Sequence, residues 1–167
     1  MIVKVQDISI SDFVYQDISE KYLSWMNDKY HLQYSRQSEF QHDFESSRKY
    51  VDQFVNSNNR FFSIKKAGEL IGTATLYLNS SNLTCSCGIM IGNEYSGQGY
   101  GKLAWNTIIH NVAKSLNVKK VTAGMLSVNK PMITLCQSAG MDLEAVLKGE
   151  GIFQGVPTDI LLFGRFL

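Results

Sequence analysis

Chemistry enters this sequence first at Gly92-Asn93-Glu94-Tyr95-Ser96-Gly97-Gln98-Gly99-Tyr100-Gly101-Lys102. Glycines at 97, 99 and 101 let the backbone approach a ligand with no Cβ in the way. The apolar run Ile89-Met90-Ile91 precedes the stretch. After it, Trp105, Ile108, Ile109, Val112, Ala113 and Leu116 recur at helical spacing on one face of the segment 101–116. The order is strand, glycine-rich turn, helix. A helix start presents N–H groups that have no partner in the helix, together with the positive end of its dipole. Such a turn suits an anion, most simply a phosphate. Two phosphate-binding patterns fail here. A Walker loop needs glycine at 96 and Ser or Thr at 103, where the chain has Ser96 and Leu103. A dinucleotide fingerprint needs glycine at 102, which is Lys102.

The elements that must position this turn follow from the pattern on either side. Ser19 is placed to cap a helix carrying Tyr22, Leu23, Trp25 and Met26. Before it, Phe13-Val14-Tyr15 reads as a short strand after a mixed leader. Residues 29–41 lack periodicity, yet this stretch and its border hold Tyr30, His31, Tyr34, Arg36 and His42, many rings for a solvated loop. A second helix is expected from Asp43 to Val55, with Phe44, Tyr50, Val51, Phe54 and Val55 toward the core. Residues 60–65 and 70–78 form a hairpin around Lys66-Ala67-Gly68-Glu69, and residues 83–91 form the strand that feeds the glycine turn. Beyond the long helix, residues 120–125 read as a strand. Asn129 caps a shorter helix with Pro131 in its first turn, and Gly140 supplies the exit. Residues 143–153 and 158–166 close the chain as a hairpin around Gln154-Gly155. Antiparallel strands followed by strand–helix alternation predict an α/β (α+β) fold, a mixed sheet with helices on its faces.

Composition narrows the function classes. A chain of 167 residues with 44% hydrophobic content is expected to fold as one domain over 1–167. Its formal net charge of +1, from 16 basic and 15 acidic residues, shows no basic stripe, so nucleic acid is not an expected partner. No apolar run approaches a membrane span and "MIVKVQDIS" lacks a signal peptide's hydrophobic region, so a cytoplasmic protein without a membrane partner is expected. The cysteines at 85, 87 and 136 make neither a disulfide framework nor a zinc spacing; reduced, partly buried thiols and no metal are the reading.

The run "IGNEYSGQGYGKLAW" resembles the pyrophosphate loop of the GNAT superfamily of acetyl-CoA-dependent N-acetyltransferases. Gly99 and Gly101 match that loop, and Ser96 stands where Arg or Gln is usual. A second stretch, "NKPMITLCQSAGMDLEAVLKGEGIFQGVPTDILLFG", is similar to the C-terminal signature of GNAT enzymes acting on ribosomal-protein N-termini, polyamines and nucleotide-linked amino sugars. Asn129, Leu135, Gly140, Glu144, Lys148, Gly155 and Asp159 sit at matching offsets, whereas Met132, Cys136, Met141 and Ala145 depart from the usual residues. The resemblance covers residues 12–167 and implies a sheet whose parallel central strands splay apart around acetyl-CoA. The pantetheine arm would pair with backbone around Ile89, Met90 and Ile91. Pyrophosphate would take N–H groups from the stretch Ser96, Gly97, Gln98, Gly99, Tyr100, Gly101 and Lys102, with Asn129 also on the cofactor.

The implied reaction is attack of a neutral primary amine on a thioester. An alkylamine of pKa about 10.4 is protonated at neutral pH, so a base must act, and the oxyanion needs an N–H donor. The family's usual proton donor to the leaving thiolate is a tyrosine, at the position of Cys136 here. A thiol is a weak donor, and Cys136 also reads as a packing residue. No base is assigned by the sequence: Asp142, Glu144, Glu150, Asp159, His31, His42 and Glu39 are all candidates. The segment "KYLSWMNDKYHLQYSRQ" resembles that of amino-sugar GNAT enzymes, which implies an acceptor pocket lined by Trp25, Asn27 and Tyr34, with Tyr77 from the hairpin. Three readings stay open: a nucleotide-linked amino sugar as acceptor, a protein N-terminus as acceptor, or an acyl-CoA-binding module without turnover. A homodimer is in keeping with the resemblance.

Overall fold

The structure, a computed structural model, describes residues 2–167. The leader is itself a hairpin, β1 (Ile2–Val5) and β2 (Ile8–Asp12), turned at Gln6 with φ 52°. Alternation of Ile8 and Ile10, both buried, with Ser9 and Ser11 is the period-two signal that marks it. Phe13-Val14-Tyr15 is not a strand. Asp17 decides this: its buried carboxylate accepts the Val14 N–H (3.1 Å) and the Ser63 hydroxyl (2.5 Å), and pairs with Lys65 (2.6 Å). These bonds draw residues 15–17 into a 3-10 turn against the sheet.

Helix α1 (Glu20–Met26) starts where Ser19 Oγ accepts the Tyr22 N–H at 3.2 Å. Helix α2 (Phe44–Val55) starts on a reciprocal cap, Ser46 N–H to Asp43 Oδ1 (2.7 Å) and Asp43 N–H to Ser46 Oγ (2.9 Å). Ser47 and Val51 face inward with Tyr50 and Phe54, but Phe44 and Val55, expected in the core, are 44% and 66% exposed. They are the first and last residues of the helix, where the neighbouring turn that would cover them is missing.

The strands that follow are β3 (Arg60–Lys66), β4 (Glu69–Asn79) and β5 (Thr84–Ile91). Then come α3 (Tyr100–Thr107), β6 (Lys120–Leu126), α4 (Lys130–Ser138), β7 (Asp142–Phe153) and β8 (Val156–Phe166). The single helix expected over 101–116 widens into a π-helical segment at Ile108–Ala113, a change that no Gly or Pro in that segment marks. Its apolar face is as expected: Trp105, Ile108, Ile109, Val112 and Ala113 are fully buried.

One sheet of order β1-β2-β3-β4-β5-β6-β8-β7 carries two cores, one on each face. Trp105 and the π segment pack on one face with Cys85, Cys87 and Cys136; α1 and α2 pack on the other with Phe13, Phe61 and Met90. Every neighbouring pair is antiparallel except β5 and β6. That parallel pair holds only at Thr84–Ser86 against Lys120–Thr122. Beyond it β5 stays with β4 up to Ile91, and β6 stays with β8 up to Leu126. The sheet therefore opens into a wedge between two wings, β1 to β5 and β6 to β7.

Candidate active site

The edge of β5 that faces the wedge can be read from the ladder. The Gly92 N–H donates to Ile71 O at 2.9 Å, so alternation directs the N–H and C=O groups of Met90, Gly88 and Ser86 to β4. Those of Cys87, Ile89 and Ile91 then point away from β4, into the gap. The closed end agrees: Lys119 N–H donates to Leu83 O across to the second wing at 2.7 Å. A buried strand edge with unpaired donors and acceptors is costly unless something pairs with it. An extended chain bearing amides, laid along β5, satisfies that edge. The sequence reading named Ile89, Met90 and Ile91 for such an added strand; parity turns the Met90 backbone to β4 instead and leaves Ile89 and Ile91, joined by Cys87, facing the gap.

At the mouth of the wedge the chain turns sharply. Gly92 lies flat against the indole of Trp25, where a Cβ would overlap the ring. Gly97 and Gly99 have φ of +75° and +89°, with open space where a Cβ would point. The first ladder bond of α3 is Leu103 N–H to Gly99 O (3.1 Å), so the N–H groups of Tyr100, Gly101 and Lys102 precede the helical ladder. Two glycines in left-handed conformation followed by three such N–H groups make a cradle of a shape and polarity that suit a phosphate. The side chains around it serve other ends. Ser96 turns its hydroxyl back to Gly92 O (3.4 Å), Gln98 Nε2 donates to Glu94 O (2.7 Å), and Tyr100 is held by Lys66. Lys102 is exposed on the first turn.

Asn129 caps α4, its Oδ1 accepting the Met132 N–H at 3.2 Å. Cys136, in the same helix, is completely buried, and burial pushes its thiol up to about 11. Cys87 is in electrostatic contact with it and with Cys85; burial first, then these neighbours, hold the Cys87 thiol neutral. The three thiols are free, in agreement with the sequence reading.

Opposite the cradle, residues 28–41 form a loop tied at its neck. Asn27 Nδ2 donates to His42 O and to Leu23 O, while Asn27 Oδ1 accepts the His42 N–H, at 2.8, 2.9 and 2.8 Å. Asp28 fixes the loop to the first wing: its carboxylate accepts Asn93 Nδ2 (2.7 Å) and the N–H groups of Tyr30 and His31 (3.0 Å each). The His31 N–H, the Tyr30 N–H and Asn93 hold that carboxyl below its usual range. Tyr34 fixes the loop to the second wing by stacking on Phe153 at 5.5 Å. The loop thus bridges the open end of the wedge. Trp25 is not at that surface: it is buried, with its indole N–H on Glu94 at 2.9 Å, and Lys21 ties Glu94 (3.2 Å) to Glu69 (2.6 Å) and to Tyr95. Tyr77 is 47% exposed with its hydroxyl 3.2 Å from that of Tyr50, on the α2 side and paired with Ser86 where the wedge begins.

The sequence profile of the acetyltransferase (GNAT) domain family matches residues 9–142. The chain belongs to the GNAT acetyltransferase family. It is an acyltransferase by membership, and its eight-stranded mixed sheet with flanking helices is the GNAT fold. No curated protein matches the chain by sequence. Among solved structures it is similar to the ribosomal alpha-N-protein acetyltransferase RimL in complex with coenzyme A in a disulfide to a cysteine, at 14% identity and TM-score 0.90, covering 100% of this chain and 98% of that one. It is also similar to spermidine N-acetyltransferase from Vibrio cholerae with coenzyme A and spermine, at 18% identity and TM-score 0.87, covering 96% and 95%. A third is the microcin C7 self-immunity acetyltransferase with acetyl-CoA and AMP, at 19% identity and TM-score 0.85, covering 98% and 94%.

Within this GNAT fold two of the five carboxylates proposed as bases are engaged elsewhere. Glu144 pairs with Lys120 at 2.7 Å. Asp159 takes Lys148 (2.8 Å) and the Gly149 N–H (3.0 Å), which pins the irregular stretch of β7 to β8 and holds the carboxyl below its usual range. His42 Nε2 lies 2.9 Å from Gln37 O. Glu39, Asp142 and Glu150 are exposed. No group of residues suited to hold a metal occurs among the described residues, and none of their helices is long and apolar enough to cross a membrane. Phe153 was not legible as a site residue, because only long-range folding brings the hairpin tip to Tyr34.

Proposed function

We propose that this GNAT domain moves the acetyl group of acetyl-CoA directly to a primary amine in a ternary complex, and that the amine is the N-terminus of a peptide or protein. The observation that carries the transfer reading is the unpaired β5 edge running from Cys87 to Ile91 into the N–H cradle at Tyr100–Lys102. Bound there, acetyl-CoA supplies an activated acetyl thioester. Backbone of Cys87, Ile89 and Ile91 holds its amide arm as an added strand, and a gap-facing N–H is available to the carbonyl oxygen. The π segment and Trp105 close one side of the wedge to water. Cys136 packs beneath it as a neutral thiol.

Support for a peptide acceptor comes from the mouth. Trp25 and Asn27, on which an amino-sugar pocket rests, are bonded to Glu94 and His42. The surface around the mouth exposes several large apolar side chains: Tyr30 (80%) and Phe40 (62%) on the bridging loop, Ile152 (63%) and Val156 (61%) on the hairpin tip. Such a rim suits the side chains of a peptide. Similarity to ribosomal-protein acetyltransferases points the same way. A small nucleotide-linked amino sugar is the second reading, favoured by the Tyr34–Phe153 aromatic face.

The test is release of free thiol from acetyl-CoA with alanine- and serine-starting peptides, spermidine and nucleotide-linked 4-amino sugars under one set of conditions. Highest kcat/KM on a peptide is expected. A higher value on an amino sugar overturns the acceptor and leaves the transfer reading standing. Tight acetyl-CoA binding with no thiol release from any amine makes the chain an acyl-CoA-binding module instead.

A further inference from the structure

We propose that His31 is the base of this site, its Nε2 receiving the hydrogen of the acceptor amine. The inference rests on the transfer reading above. It starts from an anomaly: His31 Nε2 is a buried side-chain nitrogen with no hydrogen-bond partner among the described residues. Buried polar atoms are almost always paired, and an exception needs a reason. In the neutral ring with its proton on Nδ1, Nε2 offers a lone pair.

Its position supplies the reason. His31 lies between the two anchors of the bridging loop, Asp28 on Asn93 and Tyr34 on Phe153. Because these anchors carry the loop across the open end of the wedge, His31 sits on the segment that an amine entering the wedge must pass. The residue is also held: its own N–H is bonded to Asp28 Oδ1 at 3.0 Å, and Asp28 is fixed to the turn that follows β5. The Asp28 carboxylate is in electrostatic contact with the imidazole and offsets the positive charge the ring acquires on taking a proton. The other charged groups of the adjoining elements are committed or outside. Glu94 on the turn is bound by Trp25 and Lys21; Arg36 and Glu39 on the loop and Glu150 on the hairpin are exposed; His42 is engaged by Gln37.

The protons balance as follows. His31 takes one proton from the ammonium and passes it to solvent. The freed nitrogen lone pair forms the N–C bond, the C–S bond breaks with its electron pair going to sulfur, and the remaining amine proton reaches the thiolate through solvent.

The experiment uses the best amine of the panel with His31→Gln and His31→Ala. Expected is a loss of kcat/KM of about 10²–10⁴-fold, acetyl-CoA affinity within twofold of the parent, and partial recovery of His31→Ala by added imidazole. In the parent, kcat/KM against pH for two amines of different pKa should share one acid limb that does not move with the amine. That limb should be missing in His31→Gln. Transfer within threefold of the parent, or an unchanged pH profile in His31→Gln, overturns the assignment while the transfer reading survives. If no amine is acetylated by the parent, the transfer reading itself fails. Should the variants not fold, the parent decides: the chain has 3 histidines, so their ring resonances are separable. Saturation with the amine should shift His31 and leave His42 and His110 in place, and an unmoved His31 overturns the proposal.

Discussion

The ring of Tyr34 stacks on that of Phe153, with centroids 5.5 Å apart and planes 21° from parallel. This pair joins the α1–α2 loop to the tip of the β7–β8 hairpin and so spans the open end of the wedge. An offset aromatic pair contributes about 0.5–1.5 kcal/mol beyond burial. Tyr34→Ala should therefore raise the acceptor KM several-fold and leave acetyl-CoA affinity within twofold. Phe153→Ala should do the same, and the double variant should be no worse than the poorer single one. Additive losses would show that the two rings act separately.

The phosphate cradle can be tested with little disturbance of the fold. A Cβ at Gly101 would sit 3.5 Å from Ile91 Cγ1, an ordinary contact, and the position is helical. Gly101→Val should change Tm by only a few degrees, since Val and Gly differ by less than about 1 kcal/mol in a helix. It should weaken coenzyme A binding at least tenfold in calorimetry, because the added bulk stands over the N–H groups. Equal affinity in parent and variant would remove the cradle from Tyr100–Lys102.

Cys136 is buried among apolar side chains with its thiol pushed up to about 11, so no thiolate is at hand for nucleophilic attack. Intact-mass measurement after incubation with acetyl-CoA alone should show no adduct. Cys136→Ala should keep kcat within about threefold and cost about 1 kcal/mol of stability for the lost core volume. A stoichiometric acetyl adduct that an amine discharges would instead establish a double-displacement route.

Asn27 closes the neck of the bridging loop through two hydrogen bonds to His42, with a third to Leu23 O holding its amide in place. At about 1 kcal/mol for such a bond, Asn27→Ala should raise amide exchange across residues 28–41 and lower kcat/KM for the amine, with the β5 edge and cofactor affinity unaffected. Unchanged exchange in that segment would mean the Asp28 and Tyr34 anchors suffice.

Acid should loosen the site before alkali does. Asp28 is held low by the His31 and Tyr30 N–H groups and Asn93, and Asp159 by Lys148 and Gly149. Burial acts to raise Glu94, but its own N–H, Trp25 and Lys21 outweigh it and hold it low as well. A carboxyl with a depressed folded pKa adds stability above its unfolded pKa of about 4 and loses it as pH falls through the folded value. Lys21 has the opposite sign. Burial acts to lower it, yet Glu69, Tyr95 and Glu94 hold it above its usual value, so its contribution lasts up to about pH 10. Thermal melts should be level from about pH 5 to 9 and fall below about pH 4, less steeply in Asp28→Asn. A fall beginning at pH 6 would contradict these assignments.

Local chemistry is what the sequence determined. The glycines at 97 and 99, the caps at Ser19, Asp43 and Asn129, and the period of the apolar residues each act through near neighbours in the chain. Residue type and spacing therefore made the strand–turn–helix order, the cradle and most elements legible, and Ile8 and Ile10 carried a hairpin signal that the leader's mixed composition obscured. Tertiary structure decided what each side chain is for. Trp25 and Asn27 have the types of a sugar pocket, but the fold brings Glu94 and His42 against them, and those bonds use up their polar groups. Phe44 and Val55 share the composition of the α2 core face, and their place at the ends of the helix leaves them exposed. Phe153 reaches Tyr34 through a hairpin far along the chain, and the Nε2 of His31 is buried with no hydrogen-bond partner among the described residues. Such contacts depend on which strand edges pair and where the pairing stops. In this protein that is the parting of β5 from β6 after Ser86 and Thr122, a long-range register that no local pattern encodes.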